Sequence, residues 1–162
     1  MNYIKFSKFD TANGPGIRIT LWVTGCEHHC VGCHNKNTWE INQGIEFDNS
    51  AMNEVLEFLS RPFVRGITFS GGDPLHTKNR EGITKVAKKI KEVFGNTKDI
   101  WCYTGYSYES IKDLEVMKYI DVLVDGEYIE SLRDITLTFC GSKNQRIIDV
   151  QKSRSQGKVI LY

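Results

Sequence analysis

The sequence predicts an α/β fold built around a mostly parallel sheet. Short β-rich runs alternate with segments of helical periodicity, which is the pattern of βα units. Four of those runs end in a Gly or Gly-acid pair, as the carboxyl ends of parallel strands do where they turn into loops. The length of 162 residues suits a single domain, 1–162. A complete eightfold barrel typically takes about 250 residues, so the sheet is expected to be an incomplete barrel or a small open one.

The elements follow in order. Ile17 to Thr24 alternates and is rich in β-formers, predicting a strand that runs directly into Gly25-Cys26. Met52, Val55, Leu56 and Leu59 share one helical face, with Ser50 as the expected N-cap. Gly66 to Ser70 predicts a second strand, ending in Gly71-Gly72-Asp73-Pro74. Ile83, Val86, Ala87, Ile90, Val93 and Phe94 recur at helical spacing with lysines between them, the clearest helix of the chain. Asp99 to Tyr103 is the third strand, ending in Thr104-Gly105. Ile111, Leu114 and Met117 mark a further helix capped by Ser107, and Ile120 to Val124 a fourth strand ending in Asp125-Gly126. Thr136–Phe139 and Arg146–Val150 are short strand-like pieces without an assigned place. The four strand ends are expected to converge on one rim, where parallel α/β folds bind ligands.

Composition narrows the function classes. Hydrophobic residues make up 40% and charged residues 25%, which excludes a disordered or fibrous chain. Twenty-one basic against 20 acidic residues give a net charge of +1, no electrostatic footprint for nucleic acid or an anionic membrane. No apolar run approaches the roughly 20 residues of a membrane helix. The first eight residues lack the basic-then-apolar pattern of a signal peptide. A soluble cytoplasmic protein is the expectation.

Five cysteines exclude a complete disulfide framework. Cys102 and Cys140 each read as a small apolar residue in a strand. Cys26, Cys30 and Cys33 stand apart from these, in Cys26-Glu27-His28-His29-Cys30-Val31-Gly32-Cys33, directly after a strand. Four chemistries are open to this spacing. Structural zinc needs four Cys or His ligands, for which His28, His29 or His34 is at hand, but zinc knuckles bring their ligands in two separated pairs. Cys30-Val31-Gly32-Cys33-His34 matches a covalent haem attachment pattern but leaves Cys26 unused. A thiol-exchange pair of Cys30 and Cys33 does the same. An iron–sulfur cluster uses all three thiolates and leaves one iron open to a substrate, and it is the reading that spacing and context favour. His28, His29 and His76 read as solvated loop residues.

The Cys-x3-Cys-x2-Cys loop, followed by Gly71-Gly72-Asp73-Pro74 at the next strand end, resembles the radical S-adenosylmethionine (SAM) enzymes. More narrowly, the chain resembles the activating proteins of anaerobic (class III) ribonucleoside-triphosphate reductases. Asn13 to Arg18, Asn35 to Trp39, Tyr103 to Tyr106, Val122 to Gly126 and Gly141 to Gln145 extend the match over nearly the whole chain. The resemblance implies an incomplete (β/α) barrel of radical SAM type. It implies a 4Fe-4S cluster held by Cys26, Cys30 and Cys33, with SAM chelating the fourth iron. Gly71, Gly72 and Asp73 would line the methionine moiety, Asp73 either beside the ammonium or as a helix cap. Gly32, Cys33 and His34 would meet the rest of SAM. Many radical SAM enzymes carry an aromatic residue at the position of Gly32, so any adenine contact there comes from backbone. His34 stands where Tyr is common; it keeps a ring and adds a titratable nitrogen.

The implied reaction is one-electron reduction of SAM to methionine and a 5′-deoxyadenosyl radical, which takes a Cα hydrogen from a glycine of the reductase large subunit. Ferredoxin-type clusters lie near about −400 mV, so a low-potential donor such as a flavodoxin is implied. No side chain is assigned as general acid or base, because cluster and cofactor carry the chemistry. Asn13–Arg18, Asn35–Trp39 and Asn144–Arg146 are candidates to meet the partner, and Asp125 to meet a cation or the ribose. The alternatives are an activase of a formate-lyase-type enzyme and a zinc-binding docking module. Gly32 and the Asn35–Trp39 segment argue against the first.

Overall fold

The computed structural model describes residues 1–162. Seven strands form one sheet: β1 (Asn2–Asp10), β2 (Ile17–Val23), β3 (Ile45–Glu46), β4 (Val64–Gly71), β5 (Asp99–Tyr103), β6 (Val122–Asp125) and β7 (Arg146–Asp149). Their order is β3-β1-β2-β4-β5-β6-β7. The four predicted strands are the four parallel ones in the middle, β2, β4, β5 and β6. β1 and β3 add antiparallel on one side and β7 on the other. The sheet is therefore mixed, mostly parallel at its centre, with β3 and β7 as edges.

Sequence reasoning overlooked β1 because its apolar residues do not keep a period of two. Register shifts between Tyr3 and Lys5 and between Lys8 and Asp10 move side chains from one face to the other, and Phe9 takes a φ of 60° at the second shift. The unassigned Arg146–Val150 piece supplies β7, whereas Thr136–Phe139 is a run of turns and bends. Cys102 lies fully buried in β5 as expected; Cys140 is half-buried in a loop, not in a strand.

The helices are α1 (Asn49–Leu59), α2 (Arg80–Phe94), α3 (Tyr108–Ile111) and α4 (Val150–Gln156). The N-cap of α1 is Asp48, whose carboxylate accepts from the Ala51 amide at 2.9 Å; Ser50 falls inside the first turn. The predicted helix through Ile111, Leu114 and Met117 is broken into α3 and a 3₁₀ turn at Glu115–Lys118, because Leu114 adopts extended dihedrals between them. A spacing of three suits either geometry. No helix is long and apolar enough to cross a membrane.

The alternation of the strands divides the sheet into two unlike faces. Ile19, Leu21, Ile67, Phe69, Ile100, Cys102 and Leu123 join the main core with Val55 and Phe58 of α1 and Ile83, Val86 and Ile90 of α2. The other face carries Arg18, Thr20, Trp22, Thr68, Ser70, Trp101 and Tyr103. This second face is polar and aromatic, and it leads up to the strand ends.

Candidate functional site

The strand ends converge as predicted, and backbone hydrogen bonds do most of the joining. The Gly72 amide donates to the Val23 carbonyl at 2.8 Å and the Asp73 amide to the Gly25 carbonyl at 2.7 Å. The side-chain amide of Asn79 donates to the carbonyls of Thr24 and Asp73 at 2.8 and 3.0 Å. The cysteine loop is closed at its base, where the amides of Gly25 and Cys26 donate to Thr38 and Trp39 at 2.8 and 2.9 Å. Gly72 must lack a side chain for this packing: a Cβ there would stand 2.5 Å from the Gly25 carbonyl oxygen.

The three thiols are free and half-buried. The Asn35 amide donates to the Cys33 sulfur at 3.3 Å, and the backbone of His28 and His29 lies near the Cys26 sulfur and that of Tyr128 near Cys30. Burial raises the Cys26 thiol to about 11 against the pull of the His28 and His29 backbone, and it raises Cys30 as well. A thiolate in this loop is thus costly until a cation neutralises it. Three free, half-buried thiols in one short loop are a donor set suited to an iron–sulfur cluster, whose potential a hydrogen bond such as that from Asn35 to Cys33 tunes. No three His, Cys, Asp or Glu side chains form the ligand set of a single metal ion.

A cleft of about 400 Å³ opens beside the loop, lined among others by Cys33, His34, Ser70, Tyr103, Tyr128 and Cys140. That volume falls in the range of small-molecule sites. Its floor is the polar face of the sheet. Gly32 turns with a φ of 75° in the Cys30–Cys33 turn, and a Cβ there would run into Glu130 Oε2.

Several predicted roles change in the structure. Asp73 is 1% exposed, and its oxygens accept from the Leu75 amide (2.8 Å), the Thr104 hydroxyl (2.9 and 3.0 Å) and the Gly105 amide (2.9 Å). It joins the ends of β4 and β5 and does not cap α2, whose N-cap position is Asn79. His28 is not solvated: Nε2 is 2.8 Å from Asp73 Oδ2 and Nδ1 is 3.0 Å from Glu127 Oε1. The bond to Asp73 chiefly, opposed by burial and aided by Glu127, pushes the imidazole up to about 9. His76 is mostly buried, 3.8 Å from Glu27, and the His29 ring lies 4.6 Å from that of Trp39.

Asp125 is no open ligand for a cation or ribose. It accepts from the Tyr108 amide at 2.7 Å and from both Nε and Nη2 of Arg146. Arg146 also holds Glu109, and Asn144 donates to the Glu127 carbonyl at 2.8 Å. Arg18 is wholly buried beneath the site, and Asn13 binds Asp10 at 2.6 Å, so neither side chain is free for a partner. Sequence reasoning passed over Glu127, Tyr128 and Asn79. Only Tyr128 and Glu127 carried a signal, their place just after the Asp125-Gly126 strand end.

A family model described as "4Fe-4S single cluster domain" matches residues 12–148. The chain is 44% identical over 147 residues to the anaerobic ribonucleoside-triphosphate reductase-activating protein of Enterobacteria phage T4, covering 91% of this chain and 93% of the relative. It is 40% identical over 149 residues to the protein of that name from Escherichia coli (strain K12), covering 90% and 96%. With the one from Vibrio cholerae serotype O1 it shares 38% over 151 residues, covering 91% and 97%. The family-model match runs from the turn before β2 into β7 and takes in the whole rim with its cysteine loop, and the relatives match over about nine-tenths of the chain, so this chain belongs to the family of anaerobic ribonucleoside-triphosphate reductase-activating proteins.

Proposed function

We propose that this protein activates an anaerobic ribonucleoside-triphosphate reductase by generating a glycyl radical on its large subunit. In this reading Cys26, Cys30 and Cys33 hold a 4Fe-4S cluster and the cleft beside them receives SAM. When bound, the cluster and SAM together supply the radical chemistry: one low-potential electron cleaves SAM to methionine and a 5′-deoxyadenosyl radical. A low-potential donor such as a flavodoxin and a cytoplasmic setting belong to the same reading.

The observation that carries it is the position of Cys33 and His34 on a cleft of about 400 Å³ at the carboxyl ends of the parallel strands, in a chain of this family. The chain's own residues bind and orient. The Asn35 amide tempers the Cys33 sulfur. Gly71 and Gly72 let the end of β4 pack directly on β2 and the base of the cysteine loop, beside the place proposed for the methionine moiety. Asp73 acts from behind, holding Thr104 and Gly105 so that the ends of β4 and β5 form one wall. Gly32, Cys33 and His34 border the adenosine side, Gly32 through its backbone and His34 through its ring. The central strands would form the incomplete barrel expected of this class, open on the side where a glycine loop must enter. Val31 of the cysteine loop is 80% exposed and free to meet such a partner.

The test is release of 5′-deoxyadenosine. The chain is reconstituted anaerobically with iron and sulfide, reduced with dithionite and given SAM, and the nucleoside is quantified by chromatography. Product that vanishes in Cys30→Ala supports the reading, as does a glycyl-radical signal when the reductase is added. A chain that binds zinc, retains no iron and releases no nucleoside overturns it.

A further inference from the structure

His28 lies between two of the cysteines, yet the reading above gives it no task. Its side chain is only 9% exposed. The two carboxylates it faces belong to different strand ends: Asp73 follows β4 and Glu127 follows β6. One ring thus ties the loop after β2 to the loops after β4 and β6. Its neighbours turn elsewhere, Glu27 to the Tyr106 hydroxyl and His29 to the Trp39 ring.

The seat is shaped to the ring. Gly105 lies against it, and a Cβ on that residue would stand 2.5 Å from His28 Cδ2 and 2.6 Å from Nε2. The Tyr106 ring meets it edge-on with centroids 4.7 Å apart. Asp73, which accepts one ring nitrogen, is fixed in turn by Thr104 and Gly105. Two carboxylates on opposite sides require a donor on each side, and a flat ring with a nitrogen at each edge meets that need where a carboxamide does not.

We propose that His28 is the positioning residue of the cysteine loop: by bridging Asp73 and Glu127 it holds Cys26 and Cys30 in the arrangement that receives the cluster. The inference rests on the cluster-binding reading of the three cysteines. His28 acts through the loop backbone, so its effect falls on how firmly the cluster is kept and on its electronic surroundings.

The test uses the full chain, reconstituted anaerobically, with His28→Ala, Glu127→Ala and Gly105→Ala. The third leaves the imidazole and both carboxylates in the chain and only displaces the ring. The readouts are iron per chain, the rate of bleaching by an iron chelator, the EPR spectrum of the reduced cluster, and the Tm of the apo chain. His28→Ala and Gly105→Ala are expected to bleach about tenfold faster, the scale on which outer partners of metal ligands act, with an altered EPR line shape. Glu127→Ala is expected to bleach a few-fold faster, with its apo Tm unchanged. Wild-type bleaching and spectra in all three variants overturn the inference, as does bleaching that merely follows loss of apo Tm across them. A wild-type chain that holds no iron overturns the cluster reading and this inference with it; a loaded wild type with indifferent variants overturns this inference alone.

Discussion

Arg18 Nη2 stands 2.5 Å from Asp99 Oδ1, and no part of the Arg18 side chain reaches solvent. The same guanidinium donates to Thr68 Oγ1 and to the carbonyls of Ile67 and Pro15, at 2.8, 3.0 and 3.0 Å. It lies over the Trp101 ring at 5.5 Å. A residue that the sequence offered as a partner contact is instead the polar tie between β2, β4 and β5 below the cleft. Arg18→Met is expected to cost about 3–5 kcal/mol, because it leaves Asp99 and two buried acceptors without this donor. Arg18→Lys should recover little, since an ammonium does not reproduce the planar fork. Urea unfolding of both variants checks this.

Gly72 and Gly32 separate two kinds of glycine requirement. At Gly72 a Cβ meets backbone, 2.5 Å from the Gly25 oxygen and 2.8 Å from the Thr38 oxygen. Gly72→Ala is expected to destabilise by about 1–3 kcal/mol and to lower iron per chain, since the cysteine loop must move away from β4. At Gly32 the obstacle is the end of the Glu130 side chain, which can swing aside, and the remaining cost is a φ of 75°. Gly32→Ala should cost about 1 kcal/mol and keep its iron. Equal iron content in the two variants would contradict this distinction.

Asn79 donates to two carbonyls from a fully buried position, joining the end of β2 to the Asp73 turn. Asn79→Ala is expected to cost about 1–3 kcal/mol by leaving the buried Thr24 carbonyl unpaired and the Asp73 carbonyl with the His76 amide alone. Asn79→Asp should cost more than alanine at neutral pH, because it sets a carboxylate against the same two oxygens. The order of the two denaturation midpoints decides the matter.

Glu109 and Arg146 give a pH prediction. Its bidentate bond to Arg146 holds the Glu109 carboxyl at about 2, against an ordinary 4.5. A lowered carboxyl contributes stability that is present above its unfolded value and is lost as pH falls from 4.5 towards 2. Glu109 is 56% exposed, so solvent screening keeps this contribution below about 1 kcal/mol. Glu109→Gln is expected to be slightly less stable than wild type at pH 7, with the difference vanishing near pH 2. A difference that persists at pH 2 would mean that the side chain acts by packing and not by charge.

The sequence by itself determined the four central strands, the two long helices, the cysteine loop and the glycine-marked rim. Each rests on local regularities: alternation, helical period, and turn chemistry within a few residues. Asp99–Tyr103 is found with the bounds its pattern predicts, and Gly25-Cys26 follows directly on β2 through Thr24. Only the tertiary structure decided which charge meets which. Arg18 meets Thr68 across 50 residues and Asp99 across 81, and His28 meets Glu127 across 99. A buried charge must find its counterpart wherever the fold brings one, and that choice leaves no local period to read. For the same reason Asp73, Asp125 and His28 looked available from the sequence and are engaged in the structure. β1 stayed hidden because its two register shifts erase the alternation by which a strand is recognised, and its place is fixed by pairing with β2.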